Sequence, residues 1–302
     1  MIKKDIKSQP LVVIVILNFN GLSDTLECLE SLDHISYRNY KIIVVDNGSS
    51  DNSYSVLTST YPKLAIYENI KNEGYAEGNN VGIKYGMSFK PDYFLLLNND
   101  TIVKKDFLTK LVDIASKDTK IGILGPKILF HDKKNVLWFA GAKFWFNNEP
   151  FKHLGWGEAD KGQYDSIHET DYITGCSMMI RASALKKVGY LDKQYFCYFE
   201  DLDLNVRVKK AGYKTVFVPD SVVWHKVSRS TGGEGNPTLQ FYKARNMVLF
   251  QRKVYHAKNF GIYLKLKVFE GINYLVSFQF RKAYSLFRGL LMGYITPIQK
   301  LA

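Results

Sequence analysis

Leu11-Val-Val-Ile-Val-Ile-Leu17 is an unbroken apolar, mostly β-branched run that stops at Asn18-Phe19-Asn20-Gly21. It is too short to cross a bilayer and lacks a helical period, so it reads as a strand covered on both faces. Ser23, with Asp24 and Glu27 behind it, then has the hydroxyl cap and early acids of a helix start. The same unit recurs: Lys41 to Asp46 as strand, Asn47-Gly48-Ser49-Ser50 as turn and Asp51 onward as helix, with further strands over Leu64 to Glu68 and Tyr93 to Leu97. Alternation of this kind predicts an α/β fold with a doubly wound, mostly parallel sheet and helices on both faces.

Residues Ile128 to Asp171 lose that rhythm and read as an irregular, acceptor-facing insertion. Regular structure resumes with Ser177 to Ile180, a helix over Ala182 to Val188, a helix over Glu200 to Ala211 stopped by Gly212, and a strand over Tyr213 to Val218. From Asn259 onward, Ile262, Leu266, Phe269, Ile272, Val276 and Phe280 recur at helical spacing among Lys265, Lys267, Arg281, Lys282 and Arg288. Charge interrupts this tail too often for a membrane span. It either lies on a membrane as a basic amphipathic helix or packs its apolar face on the main domain. The expected division is therefore a catalytic domain over 1–250 and a helical tail over 251–302.

At 302 residues and 46% apolar, the chain can bury a full core. The short apolar run lacks a small-residue cleavage site, which argues against a signal peptide. Cys28, Cys176 and Cys197 are odd in number and widely spaced, so a disulfide framework or structural zinc site is not expected. A reducing cytosol fits, with contact at the inner face of the cytoplasmic membrane left open. The net charge of +12 favours an anionic partner: nucleic acid, a phosphorylated small molecule or an anionic membrane.

In an open α/β sheet, ligands bind beyond the carboxyl ends of the strands. There stand Asn18 and Asn20, Asp46 and Asn47, Asn72 with Gly74, Asn79 and Asn80, and Asn98-Asn99-Asp100. One such cluster is an ordinary turn; four in succession suit a nucleobase, a ribose and a diphosphate. The chain has neither a G-x-G-x-x-G after the first strand nor a P-loop, so the diphosphate needs another counter-charge. A hard divalent cation supplies one through a carboxylate such as Asp100. Glu200-Asp201-Leu202-Asp203 opens a helix; it serves either as a simple cap, with an Asp203–Arg207 pair, or as the source of a general base. His225, after an apolar stretch, is either structural or a metal ligand.

Taken together, Val13 to Gly21, Val44 to Asp51, Asn72 to Asn80, Leu95 to Thr101, Gly175 to Ile180, Val188 to Asp192 and Tyr198 to Leu204 resemble, in order, the family 2 glycosyltransferases and their rhamnosyltransferase-like branch. The resemblance runs from Leu11 to Asn246. It implies a GT-A fold, a divalent metal (Mn²⁺ or Mg²⁺) and an inverting single displacement by an acceptor hydroxyl. It assigns Asp46, Asn18 and Asn20 to the base and ribose, Asn79 and Asn80 to the donor pocket, Asp100 and His225 to the metal, Asp201 to the general base and Glu200 to its neighbour. The family's Asp-x-Asp is Asn98-Asn99-Asp100 here, which leaves one carboxylate for the metal. Lys243 or Arg245 in the closing motif, and Arg229 in a lid over Ser228 to Gly233, are the expected phosphate contacts. The implied partners are a nucleotide-sugar donor, dTDP-rhamnose or a UDP-sugar, and a saccharide or lipid-linked saccharide acceptor in cell-surface polysaccharide synthesis.

One other enzyme reading, one catalytically silent reading and one binding reading compete. A sugar-1-phosphate nucleotidyltransferase would carry a Gly-rich loop with Arg and Lys after the first strand, and Asn18 to Gly21 lacks it. A catalytically silent homologue in a polysaccharide assembly complex would not need Asp100 and Asp201 together. A nucleic-acid-binding protein would carry one of the usual motifs, and none is present.

Overall fold

The computed structural model describes residues 9–144, 151–227, 236–255 and 260–299. Its first half is the expected alternation: β1 (Val12–Asn18), α1 (Leu22–Asp33), β2 (Tyr40–Asp46), α2 (Ser53–Thr60), β3 (Ala65–Glu68), α3 (Gly74–Gly86), β4 (Tyr93–Asn98), β5 (Thr101–Val103) and α4 (Phe107–Ala115). β1 lies between β2 and β4, parallel to both, and β3 extends the sheet beyond β2. Alternate side chains of β1 feed separate cores. Val13 and Val15 face α3 through Ala76 and Ile83, whereas Val12, Ile14 and Ile16 meet α1 and α4 through Leu29, Leu32, Leu108 and Leu111. That two-sided burial is why β1 has no polar position until Asn18.

The second half is mixed rather than parallel. It comprises β6 (Ile121–Phe130), β7 (Leu137–Phe139), β8 (Ala142–Phe144), β9 (Phe151–His153), β10 (His168–Glu169), β11 (Ser177–Arg181), α5 (Ala182–Val188), α6 (Glu200–Lys210) and β12 (Lys214–His225). β11 runs antiparallel to β4 and β6, and β12 runs parallel to β6. The stretch expected to be irregular thus carries the end of β6, an antiparallel β7 and a separate β8–β9 ribbon. Strands this short are not legible as a period.

The helical end is formed by α7 (Pro237–Phe250), a π-helical turn over Gln251–Tyr255, α8 (Phe260–Val276) and α9 (Phe280–Ile295). Ala244, Met247 and Val248 of α7, Tyr263 of α8, and Leu286 and Leu290 of α9 share a small core of their own. α7 is therefore part of the helical layer, and position 250 falls inside a continuous helical run.

α3 departs most from expectation. Asn79 and Asn80, expected in a ligand-binding loop, lie inside this helix. The reason is Gly78, Gly82 and Gly86, one every fourth residue, which form a bare face against the sheet, while Gly74 one turn earlier meets Phe196. A Cβ added at Gly78 would stand 2.5 Å from a Leu17 methyl, one at Gly86 would stand 2.6 Å from the Phe94 ring, and one at Gly82 would strike Val15. Glycine is a poor helix former, and here it is used for close approach.

Candidate active site

Strand register sets Asn18 beside Asp46, and Leu17 beside Asn98, so three strand ends open on one edge. The side chains there brace one another. Asn18 donates to Asp46 Oδ2 at 2.7 Å and accepts from the Thr25 hydroxyl at 2.8 Å. The Ser49 amide donates to Asp46 Oδ1 at 2.9 Å, and Asn99 donates to Thr25 Oγ1 at 2.9 Å. Asn20, in the left-handed region at φ 51°, accepts from the Ser50 amide. Asn47 donates to Asn72 Oδ1 and accepts from Asn69, while Asn72 accepts from the Gly74 amide. These side-chain amides are occupied within the protein, where they hold the loops that shape the cleft.

Asn79 donates to the Tyr75 carbonyl one turn back. Asn80 donates to the Leu191 carbonyl and the Glu77 carboxylate, and accepts from the Leu191 amide. Both act as internal ties in this structure, and Asn80 fastens α3 to the loop before Asp192.

Asp100 and His225, 125 positions apart in sequence, are brought together by the antiparallel pairing of β5 with β12, in which His225 faces Thr101. His225 Nε2 stands 3.1 Å from Asp100 Oδ1 as an ion pair, and both side chains are buried. Burial by itself would raise the Asp100 carboxyl, but the adjacent His225 holds it below its usual range. Burial likewise opposes the imidazolium, yet Cys176 and Asp100 outweigh it and push His225 up to about 10. Beyond that pair, Asn98 Oδ1 and His225 Nδ1 are buried without a hydrogen bond. Such a set of unsatisfied donor atoms is what a cation would use. Among the described residues no group of three or more His, Cys, Asp or Glu side chains is arranged to hold a metal ion, so a metal here needs ligands from the substrate.

Glu200 and Asp201 open α6 after a strained approach, with Phe196, Tyr198 and Phe199 all at positive φ (66°, 66° and 77°). Asp201 Oδ2 accepts from the Tyr172 hydroxyl at 2.5 Å and the Gly175 amide at 2.8 Å, and Oδ1 accepts from the Leu202 amide. Glu200 is buried, and its Oε2 has no partner. Burial raises both carboxyls, Glu200 far more, because Asp201 lies beside it and the hydrogen bonds to Asp201 pull the other way. Of the two, Glu200 is therefore the harder to ionise. Asp203 instead pairs with Arg207 Nε at 2.6 Å, as its i,i+4 spacing predicts.

Tyr172 and Gly175 were not expected as site residues. A Cβ at Gly175 would stand 2.9 Å from the Tyr75 hydroxyl and 3.3 Å from Asp201 Oδ2, so only glycine lets the three meet. Asn246 was passed over as well. Its Nδ2 reaches the carbonyls of Tyr195, Cys197 and Tyr198 at 2.7–2.9 Å, and so clamps the strained segment before Glu200. Arg245, expected at phosphate, donates to the Gln194 carbonyl and to Asn246 Oδ1. It lines a cavity of about 430 Å³ with Lys193, Phe196, Phe241 and Tyr242 that includes neither Asp100 nor Asp201. Arg229 and the expected lid lie outside the described residues. We expect Asn246→Ala to lower unfolding free energy by about 2 kcal/mol, since buried carbonyls held against strain lose their donor. Denaturant unfolding measures this directly, and an unchanged midpoint would remove the clamp from the account.

One wall of the cleft is aromatic. Trp138 meets His225 edge-on at 4.7 Å and packs near His153 and Trp156. Burial pushes His153 down to about 4, so its ring is neutral. Trp156 is half exposed beyond it.

Residues 9–245 match the family model described as glycosyltransferase like family 2. An N-acetylglucosaminyl-diphospho-decaprenol L-rhamnosyltransferase of Mycobacterium tuberculosis is 28% identical over 229 residues, 68% of this chain and 72% of the relative. Rhamnosyltransferase WbbL of Escherichia coli is 29% identical over 220 residues, 69% and 81% of the two chains. In fold, the chain is similar to the mannosyltransferase PcManGT of Pyrobaculum calidifontis, solved with GDP-Man and Mn²⁺ (TM-score 0.61, 15% identity, 96% of this chain and 89% of that one). It is also similar to GalNAc-T7 solved with UDP, GalNAc and Mn²⁺ (TM-score 0.64, 17% identity), covering 82% of this chain and only 48% of that one. These neighbours share the GT-A architecture that the family resemblance implies. A mixed sheet whose strand ends carry Asp46 and Asp100, with Asp201 at the head of the facing helix, is what the matched region contains, and the chain belongs to glycosyltransferase family 2.

Proposed function

We propose that this protein is an inverting glycosyltransferase. It takes a sugar from a nucleoside diphosphate donor, a dTDP- or UDP-sugar with rhamnose as first choice, and passes it to a hydroxyl of a saccharide or lipid-linked saccharide during cell-surface polysaccharide synthesis. The observation that carries this reading is the anchored carboxyl at the head of α6: Asp201 Oδ2 is held by the Tyr172 hydroxyl and the Gly175 amide, with the buried Glu200 beside it. Asp201 takes the proton of the attacking hydroxyl, and its hydrogen bonds keep it from rotating away from that proton. Glu200 is the harder of the two to ionise, which favours the charge on Asp201. The acceptor hydroxyl is the nucleophile and the nucleoside diphosphate the leaving group, so the displacement is a single step with no covalent enzyme intermediate.

Asp100 would hold a divalent cation, with Asn98 Oδ1 as a further donor and His225 joining only where the cation displaces its ring proton. A cation bound there would neutralise charge on the departing diphosphate. A nitrogen ligand favours Mn²⁺ over Mg²⁺, which prefers an all-oxygen shell. Asn18, Asn20, Asp46, Asn47, Asn72 and Gly74 shape the seat of the nucleotide through the loops they hold, and Asn98 and Asn99 edge it. Trp156, exposed on the aromatic wall, offers a stacking face to the acceptor sugar.

Calorimetric titration with UDP, dTDP and GDP, each with and without Mn²⁺, tests the donor side. We expect one pyrimidine diphosphate to bind, and to bind at least about 10-fold more weakly without metal. Absence of binding by all three would defeat the assignment.

A further inference from the structure

We propose that the outer face of the α8–α9 hairpin is a docking surface for an anionic lipid bilayer. α9 is already seated on α7: a Cβ at Gly289 would come 2.5 Å from the Phe241 carbonyl oxygen, and one at Gly293 would come 2.6 Å from that of Arg245. α8 closes on this pair with Tyr263 and Gly271, its only fully buried residues. The inner faces are thus used, and the apolar residues at helical spacing along the tail point away from the protein. Ile262, Leu266, Phe269, Ile272 and Val276 are exposed along α8 at spacings of three and four. The turn between the helices presents Phe278 at 81% exposure, and α9 continues with Tyr284, Leu291 and Ile295. Most of the exposed large apolar side chains among the described residues belong to this hairpin. An uncovered surface of this kind marks an interface.

Charge selects the occupant. Residues 260–299 contain Lys265, Lys267, Arg281, Lys282 and Arg288 against a single acid, Glu270, whose carboxylate pairs with Lys267 at 2.7 Å. A second copy of this face would bring like charges together, whereas anionic headgroups match it. Exposed phenylalanines at the turn, flanked by Arg281 and Lys282, give the apolar-in, basic-out arrangement of an interfacial helix. No described helix is long and apolar enough to cross a membrane, so the hairpin lies along the surface. α7, which α9 supports, also carries Arg245 and Asn246, the residues that hold the segment before Glu200 and Asp201. The docking surface is therefore one helix layer from the loop that carries the base.

The inference does not depend on the transfer reaction, because vesicle binding is read without turnover. The full chain is sedimented with sucrose-loaded vesicles of phosphatidylcholine alone or mixed with phosphatidylglycerol, at low and raised salt. Two variants accompany it: Phe269→Glu with Phe278→Glu, and Lys265→Glu with Arg281→Glu. All four positions are exposed, and thermal unfolding verifies that both variants remain folded. We expect binding to the mixed vesicles, weakened by salt and reduced at least about 10-fold in each variant. Failure of the unaltered chain to sediment with the mixed vesicles at low salt would overturn the proposal, as would undiminished binding by the phenylalanine variant. Sedimentation velocity separates the other occupant: a dimer dissolved by Phe269→Glu with Phe278→Glu, without vesicle binding, assigns the face to self-association and overturns the proposal as well.

Discussion

Asp201→Asn should give a folded protein that binds donor nucleotide as the unaltered chain does and transfers sugar about 10²–10⁴-fold more slowly. The amide still fills the space and can accept from the Tyr172 hydroxyl and the Gly175 amide, so the loop keeps its anchor. What disappears is the ability to take a proton. Calorimetry with the nucleotide and a transfer assay on the same preparation separate the two properties, and loss of nucleotide binding would show that Asp201 serves the donor. The pH profile gives a second reading. A base must be deprotonated to act, and Asp201 sits above its ordinary range, so kcat/KM rises with pH on a limb displaced upward. The Tyr172 hydrogen bond lowers Asp201, so Tyr172→Phe should move that limb to still higher pH while leaving nucleotide affinity unchanged. A profile identical to that of the unaltered chain would deny Tyr172 its positioning role.

Asp100→Ala carries the second large effect, on binding and stability together. The variant loses the carboxylate that a cation would share with the diphosphate, so the increment of nucleotide affinity conferred by Mn²⁺ should vanish. It also strands a buried imidazole with no charge partner, and breaking a buried pair costs about 3–5 kcal/mol. The signs across pH are opposite for the two members. Asp100 is lowered by folding, so its contribution is present above the usual carboxylate range and is lost as pH falls through its folded value. His225 is raised to about 10, so its contribution is complete below the imidazole's usual value and is lost as pH climbs through about 10. Urea unfolding at neutral pH and near pH 10 should therefore show a smaller gap between the two proteins at the alkaline end. A Mn²⁺-dependent increment that survives in Asp100→Ala would move the cation site elsewhere.

Much of this arrangement was legible along the chain because it depends on neighbours in sequence. β1 and β4 announce themselves by continuous apolar runs, and α5 spans the same Ala182 to Val188 that its pattern suggests. The polar strand ends follow directly, since a strand must terminate where its side chains meet the ligand edge. α3 was not legible, because Asn-Glu-Gly and Gly-Asn-Asn are also turn sequences. Only the sheet beneath turns four-residue spaced glycines into a helix face. The support for Asp201 was hidden for another reason. Tyr172 and Gly175 come from the stretch before β11, and Asn246 comes from α7, so their meeting is a property of the packed chain. The side chains expected to touch nucleotide turned out to be committed to one another, which no single-residue reading of Asn18 or Asn47 can reveal.

The bare face of α3 bears on the depth of the cleft. A helix that rests on side chains has a compressible layer beneath it, in which rotamers absorb small errors of position. α3 rests on glycine hydrogens, so its height above β1 has no slack, and the helix acts as a hard stop. Its first residue is Gly74, which Asn72 and Asn47 tie to the strand ends. One extra methyl at Gly82 would therefore push the rod off the sheet and carry the Gly74 end out of place with it, altering the fit of a nucleotide that the methyl never touches.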